Sequence, residues 1–315
     1  MHYASGVTIL IIGGAGFIGR NLLKHLAGNG LDLVVLDRNT GGLEDSNHTL
    51  IVGDAQDPEL LTDVMSTYRP ETVYHFAANS DIGAGVADAS LDFGDTLMTT
   101  VALRSAVDRI PVPQVVFASS SAIFGVSNTP LTEVPDLLPQ PVSWYGRAKL
   151  ASEFALESTL QSSSQTQMLF VRFPNVVGPL ATHGVVYDFV RKLRADPNHL
   201  QVLGDGHQTK PYVHVAELIA GIEFFRNRLE SGVTRINIGP MDLVDVRGIV
   251  NEVCSVLNVT PEVVYEDSPY GWPGDVPRYE FNTALMRAKG FEVKDTSREA
   301  VRRAAEDLAR EWPSS

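Results

Sequence analysis

A chain of 315 residues with 44% hydrophobic and 20% charged side chains is long enough for one large α/β domain or two lobes, and its composition excludes a disordered or membrane-embedded chain. A formal charge of −13 leaves no basic stripe for nucleic acid, so an anionic ligand must be met by a few local cations and backbone amides. The single cysteine, Cys254, excludes a disulfide framework and multi-cysteine metal sites, and it reads as a small buried hydrophobe on a helix.

At the N-terminal end, residues 7–12 form a β-branched run too short for a signal-peptide core, and with the lone cysteine this predicts a cytoplasmic protein without a membrane span. The run leads into Gly13-Gly14-Ala15-Gly16-Phe17-Ile18-Gly19, and an amphipathic helix is predicted from about Arg20. Gly13, Gly16 and Gly19 permit a tight turn and bring backbone N–H groups close to a pyrophosphate at the positive end of that helix. The strand at 33–36 ends in Asp37, at the distance expected of a carboxylate that accepts hydrogen bonds from an adenosine ribose. Such a carboxylate repels a 2′-phosphate, so NAD is expected rather than NADP. Arg38 is the neighbouring guanidinium that could accept a phosphate instead.

Residues 51–54 read as a third strand with Asp54 at its end, either meeting an adenine amino group or serving the turn before Ala55. Asp57-Pro58 opens the next helix with an N-cap and a proline at the first turn. A fourth strand, 72–78, ends in the small residues Ala77 and Ala78, which lets backbone lie against a cofactor, and His75 reads as a hydrogen-bonded structural histidine. A fifth strand at 113–118 delivers Ser119, Ser120 and Ser121 to the carboxyl end of a sheet, where ligands of parallel sheets bind.

Tyr145 and Lys149, four residues apart, share one helix face. A cation near the phenol favours the phenolate and lowers a pKa that is otherwise about 10, and a strand-borne hydroxyl from Ser120 completes a group that moves protons on and off an alcohol. Beyond residue 180 the pattern predicts a helix at 185–194, strands at 210–215 and 235–239, and helices at 242–257 and 298–312. The predicted architecture is α/β: a Rossmann-type doubly wound parallel sheet over 1–175, with 209–240 partly returning to it, and a smaller α/β C-terminal substrate lobe over 176–315.

These motifs, with Arg-Phe-Pro-Asn-Val-Val-Gly-Pro at 172–179, residues 204–215 and Gly-Asp-Val-Pro at 274–277, resemble the extended short-chain dehydrogenase/reductase superfamily over nearly the whole length. Within it the chain is similar to nucleotide-sugar epimerases of the UDP-galactose 4-epimerase kind. The resemblance implies catalysis by Ser120, Tyr145 and Lys149. It implies a cofactor, NAD, held by Gly13, Gly16, Phe17, Ile18, Gly19, Asp37, Arg38, Asp54, Ala55, Phe76, Ala77, Ala78, Ser80, Asp95, Ser119, Tyr145, Lys149 and Pro174. A nucleotide-diphosphate sugar would meet Ser121, Asn175, Lys210, Arg278 and Tyr279.

The resemblance also implies C4 hydride transfer to bound NAD, a 4-keto sugar and return of the hydride to its other face. A homodimer is implied through helices around 91–107 and 145–160. Ser121 and Ala122 stand where sugar 4,6-dehydratases carry an Asp-Glu pair, which disfavours dehydration; Ala122 also stands where related decarboxylases carry a glutamate. Lys210 replaces a usual arginine, Phe124 a common tyrosine, Asp95 a frequent asparagine, and Trp272 an arginine that clamps the diphosphate, a task Arg278 or Arg191 would then share. An NAD-dependent nucleotide-sugar dehydrogenase, reductase or dehydratase is the alternative among enzymes, and a silent NAD-binding sensor the alternative outside them.

Overall fold

The structure is a computed structural model that describes residues 6–43, 47–79, 81–127, 129–133, 139–161, 165–271 and 275–311. The chain divides into two compact units. The first comprises Met1–Ile123, Pro141–Arg172 and Ile222–Ile236; the second comprises Phe124–Gln140, Phe173–Gly221 and Asn237–Ser315. The segment that returns to the first unit, Ile222–Ile236, lies within 209–240, and 124–140 groups with the second unit.

In the first unit, strands β1 (Thr8–Ile12), β2 (Asp32–Asp37), β3 (Thr49–Val52), β4 (Thr72–His75), β5 (Gln114–Ala118) and β6 (Gln167–Arg172) lie in the order β3-β2-β1-β4-β5-β6. The neighbouring pairs among these six are parallel. The order reverses between β1 and β4, so the carboxyl ends of the central strands open a crevice there. Ile9, Leu10, Ile11 and Ile12 are all fully buried, because a parallel sheet covered on both faces buries every side chain of a central strand. That is why residues 7–12 read as a continuous apolar run.

Helix α1 (Phe17–Leu26) starts three residues earlier than the sequence predicts, directly from the glycine turn. Helix α2 (Pro58–Tyr68) is capped as predicted, with Asp57 accepting from the N–H groups of Glu59 at 2.9 Å and Leu60 at 3.3 Å. Such a cap contributes about 1 kcal/mol. After β4 come α3 (Ile82–Ala87), α4 (Ala89–Asp92) and one stretch of π-helix, Phe93–Met98, that runs straight into α5 (Thr99–Arg109). Helix α6 (Trp144–Glu157) begins at Ser143, whose hydroxyl accepts from Gly146 N–H at 3.1 Å and so fixes where Tyr145 stands.

The second unit holds β7 (Asn175–Val177), α7 (Val185–Ala195), β8 (His199–Val202), β9 (Thr209–Lys210), β10 (Tyr212–His214) and most of α8 (Val215–Arg226). From β11 (Gly232–Asn237), which adds a seventh strand beside β6 in the first unit's sheet, the chain continues through β12 (Val244–Asp245), α9 (Val246–Leu257), β13 (Glu262–Tyr265), α10 (Ala284–Ala288) and α11 (Ser297–Glu311). Helices α7, α9 and α11 share one apolar core that includes Phe189, Val190, Ile249, Val253, Val301 and Leu308.

The single strand predicted at 210–215 is two short ones split by Pro211, which has no N–H to donate to a ladder. Helix α8 was not predicted. Leu218, Ile219, Ile222 and Phe225 are all buried, and a helix covered on several sides carries no amphipathic period. Its last turn is tied to the first sheet by an enclosed polar network: Tyr74 donates to Glu223, and Arg226 donates to Glu223 and, at 3.1 Å, to Gln114. Among the described residues no helix is long and apolar enough to cross a membrane.

Candidate active site and cofactor cradle

The turn after β1 is built so that no side chain fits inside it. Gly13 has φ +83°, and a Cβ there would lie 2.5 Å from the backbone N of Ala77; one on Gly19 would lie 2.5 Å from Gly13 O. The end of β4 is held against the turn by Phe76 and Ala77, whose N–H groups donate to Ile12 O at 2.8 and 3.0 Å. At the N-terminus of α1, Gly16 offers no side-chain cap, so the first-turn N–H groups remain for an anion. Phe17 and Ile18 belong to that first turn. This cradle fits a dinucleotide pyrophosphate.

Asp37 ends β2 and is half-buried, with Oδ2 accepting from Ala15 N–H at 2.9 Å and Oδ1 from Asn39 N–H at 2.9 Å. It therefore braces the glycine turn, and its remaining lone pairs suit ribose hydroxyls. Arg38 turns to Asp95 at 2.9 Å, and Gln56 donates to the other oxygen of Asp95 at 3.3 Å. The hydrogen bond to Asp95 holds the Arg38 pKa above its ordinary value, and Asp54 and Asp37 add to the effect. Asp54 itself accepts from Gln56 N–H at 2.9 Å, the turn role, above a buried Ala55. Ala78 is half-buried beside this end of β4, and Ser80 lies outside the described residues.

Ser120 follows β5, is 8% exposed, and accepts from Ala122 N–H at 3.1 Å. Its hydroxyl is hydrogen-bonded to the Tyr145 phenol. Burial pushes that phenol up to about 12, against the pull of the Ser120 bond, and the enclosed Asp92 carboxylate adds to the rise. Lys149 is 2% exposed; its Nζ donates to Ala118 O at 2.6 Å and lies 5.8 Å from the centre of the Tyr145 ring. Burial pulls this ammonium down to about 7, opposed by the Glu153 carboxylate.

At the phenol, desolvation dominates and the Ser120 hydroxyl is what opposes it, so the lowering expected from the lysine does not set its pKa; burial also holds Lys149 itself well below the ordinary lysine value. His75, fully enclosed, is pulled down to about 3 by burial and by Lys149, and one ring nitrogen bonds Thr100 at 2.9 Å. It is structural, as predicted. Ser119 is fully buried and donates inward to Glu153 at 2.5 Å, so its hydroxyl is committed to the protein. Ser121 begins a short 3-10 turn, 121–123, and is half-buried.

Sequence reasoning missed Glu153, Arg172, Asp92 and Gln56 as parts of this neighbourhood. Glu153 carried a signal: it repeats the four-residue step that joins Tyr145 to Lys149. Arg172 opens the motif at 172–179, although nothing in the motif points to Glu153; Asp92 and Gln56 come from distant segments and carried no signal.

Within the second unit, Asn175 brings its amide Nδ2 to 3.4 Å from both the Tyr279 hydroxyl and Pro211 O. Lys210 forms an ion pair with the buried Asp275 carboxylate, which also accepts from Gly271 N–H at 3.2 Å. Arg278 is exposed and pairs with Glu280 at 3.0 Å. Pro174 packs against the backbone of Gly239, and Phe124 is buried. Arg191 is exposed on α7, and Trp272 lies outside the described residues.

A model of the NAD dependent epimerase/dehydratase family matches residues 9–239. The UDP-glucose 4-epimerase of Azospirillum brasilense is 26% identical, across 96% of this chain and 92% of that one. A crystal structure of UDP-galactose 4-epimerase superposes with a TM-score of 0.81 at 30% identity, covering 97% of this chain and 99% of the other. MoeE5 in complex with UDP-glucuronic acid and NAD superposes with a TM-score of 0.86 at 25% identity, covering 97% and 100%. NAD is the cofactor of the matched family, and the glycine turn with Asp37 at the end of β2 is built for it. With its seven-stranded sheet, that cradle and the matched span together, the chain belongs to the NAD-dependent epimerase/dehydratase family.

Proposed function

We propose that the protein is a nucleotide-sugar 4-epimerase acting on a UDP-hexose of the glucose and galactose type. What carries the reading is the enclosed group at the end of β5 and the start of α6: the Ser120 hydroxyl on the Tyr145 phenol, with Lys149 one turn along the same helix. The neighbouring positions hold Ser121 and Ala122 rather than an acid pair, so this group is suited to moving one proton but not to expelling water. The similarity to UDP-glucose 4-epimerases supports the UDP-hexose.

Gly13, Gly16 and Gly19 with the first turn of α1 would hold the pyrophosphate of NAD, and Asp37 its adenosine ribose. What bound NAD supplies is a reversible hydride acceptor at sugar C4. Tyr145 takes the proton of the 4-hydroxyl as the hydride leaves, and Ser120, bonded to the phenol, orients both oxygens. Lys149 in its charged form offsets the cost of the buried phenolate. Once the 4-keto sugar has turned over, Tyr145 would return the proton as the NAD held in this cradle supplies hydride to the other face, with no net redox change. Asn175, Tyr279, Lys210, Arg278 and Ser121 are proposed to meet the nucleotide sugar; Lys210 then exchanges part of its pairing with Asp275 for phosphate. We assign the cytoplasm and a homodimer to the same reading.

The test is incubation of the purified protein with a panel of nucleotide sugars in deuterated water, followed by NMR without added NAD. A product inverted at C4 without deuterium supports the reading. Deuterium at C3 or C5, or NADH accumulating only after NAD is added, overturns it in favour of a dehydratase or a dehydrogenase. Tyr145→Phe is expected to lower kcat by about 10²–10⁴-fold while leaving NAD bound; unchanged turnover would remove Tyr145 from the mechanism.

A further inference from the structure

Beneath the residues assigned to the reaction, the first unit encloses one more acid. Glu153 is 2% exposed and sits on α6 one turn past Lys149 and two turns past Tyr145, so the three share one face of the helix. Its carboxylate is held from three other segments. Arg172, at the end of β6 and 4% exposed, donates Nε to Oε1 at 2.9 Å and Nη2 to Oε2 at 2.7 Å. Ser119, after β5, donates to Oε1 at 2.5 Å. Arg235, on β11, brings Nε to 3.5 Å from Oε2 and pairs at 2.8 Å with Glu157.

Other charged and titratable groups around Lys149 are few. His75 on β4 is neutral, β5 offers the Ala118 carbonyl and the Phe117 ring, and Asp92 on α4 acts on Tyr145. Arg172 and Arg235 reach the lysine's surroundings through Glu153. Among the described residues, Glu153 is the carboxylate whose field favours the ammonium. A clip needed only to join α6 to β6 has no reason to repeat the step from Tyr145 to Lys149. Nor does stability call for an enclosed ion pair at this place, since such a pair is often no better for stability than apolar packing.

We propose that Glu153 is a positioning residue for the reaction, its carboxylate held in place by Arg172 and Ser119 so that Lys149 stays charged beside Tyr145 at working pH. The inference rests on the reading that Tyr145 and Lys149 carry the proton chemistry. Replacing Glu153 by glutamine removes the negative charge and leaves the Arg172 guanidinium without its carboxylate, and both changes favour the neutral amine. The charged form is then lost at lower pH, so the alkaline limb of the kcat profile moves down the pH scale. A conservative change at Arg235, by contrast, leaves Glu153 less neutralised and moves the limb up.

The experiment measures kcat against pH for wild type and Glu153→Gln with UDP-galactose, together with the ¹³C NMR titration of Lys149. A shift of about one unit is expected: the ratio of wild-type to variant kcat stays near one below both midpoints and reaches about tenfold above them, and the NMR midpoint falls in step. A uniform loss of kcat at every pH, or an unmoved NMR midpoint, overturns the proposal and leaves Glu153 a structural clip. Should Glu153→Gln fail to fold, Arg235→Gln, altering a partly exposed side chain, takes its place; a limb that does not move upward overturns the proposal equally. Tyr145→Phe, run alongside, separates the two levels. If Tyr145→Phe turns over normally, the catalytic reading itself fails; if it is inactive and the Glu153→Gln profile runs parallel to wild type, only the role of Glu153 falls.

Discussion

Arg38 shows how one side chain can be read two ways until its partner is known. Beside Asp37 it looks like a phosphate acceptor, yet its guanidinium is 2.9 Å from Asp95, whose second oxygen is occupied by Gln56. A 2′-phosphate would have to break this pair as well as approach Asp37. Asp95→Asn should release Arg38 and tighten NADP⁺ relative to NAD⁺ by about 2–5-fold, the scale of one partly exposed ion pair, measured by calorimetric binding of each dinucleotide. Adding Arg38→Ala should cancel the gain; an unchanged ratio in Asp95→Asn would show that the pair plays no part in the choice. Asp95 is far from Arg38 in sequence, and no local pattern joins them. Tyr145 and Lys149 were legible because a helix makes neighbours of residues four apart, whereas the depth of their burial, which moves both pKa values, depends on segments the spacing does not reveal.

At the scale of elements, the strands and the glycine turn were legible because each is set by local chemistry. Residues 7–12 are apolar because both faces of β1 are covered, and the turn that follows needs Gly13 for its positive φ. The prediction attached to that turn separates strain from collision. Gly28 has φ +80° and open space within 4 Å of where a Cβ would stand, so Gly28→Ala should cost only the left-handed backbone, about 1–2 kcal/mol. Gly13→Ala adds a clash at 2.5 Å with backbone that the sheet holds in place, so its loss in chemical denaturation should clearly exceed that of Gly28→Ala, with weaker NAD binding. Equal losses would mean that β4 yields to the methyl. The elements that were not legible are those set by tertiary packing. Helix α8 is apolar on several sides, and the π-helical stretch 93–98 places Asp95 toward Arg38 and Gln56 through a register that no residue pattern announces.

For the molecule as a whole, assembly is the remaining question, and it turns on one face of the first unit. Helix α4 and the π-helical stretch leave Leu91, Phe93 and Met98 exposed at 38%, 39% and 45%, and α6 leaves Trp144 and Phe154 exposed at 40% and 53%. Phe93 and Trp144 lie with ring centres 5.7 Å apart, so the two segments present one apolar surface rather than scattered residues. A patch of this kind on an otherwise acidic chain fits an interaction site, and under the proposed function it is the face expected to meet a second copy. A like-charged partner with net charge −13 is repelled at long range, so the contact must come from apolar burial at the patch. Sedimentation at about 10 μM should therefore show a dimer. Phe154→Glu places a charge at the exposed side of α6, one residue from Glu153 in sequence but on the solvent-facing side of the helix. It should sediment as a monomer that still binds NAD, because the glycine turn and Asp37 belong to other elements. A wild-type monomer at that concentration would overturn the assignment, and a Phe154→Glu dimer would move the interface elsewhere on the surface.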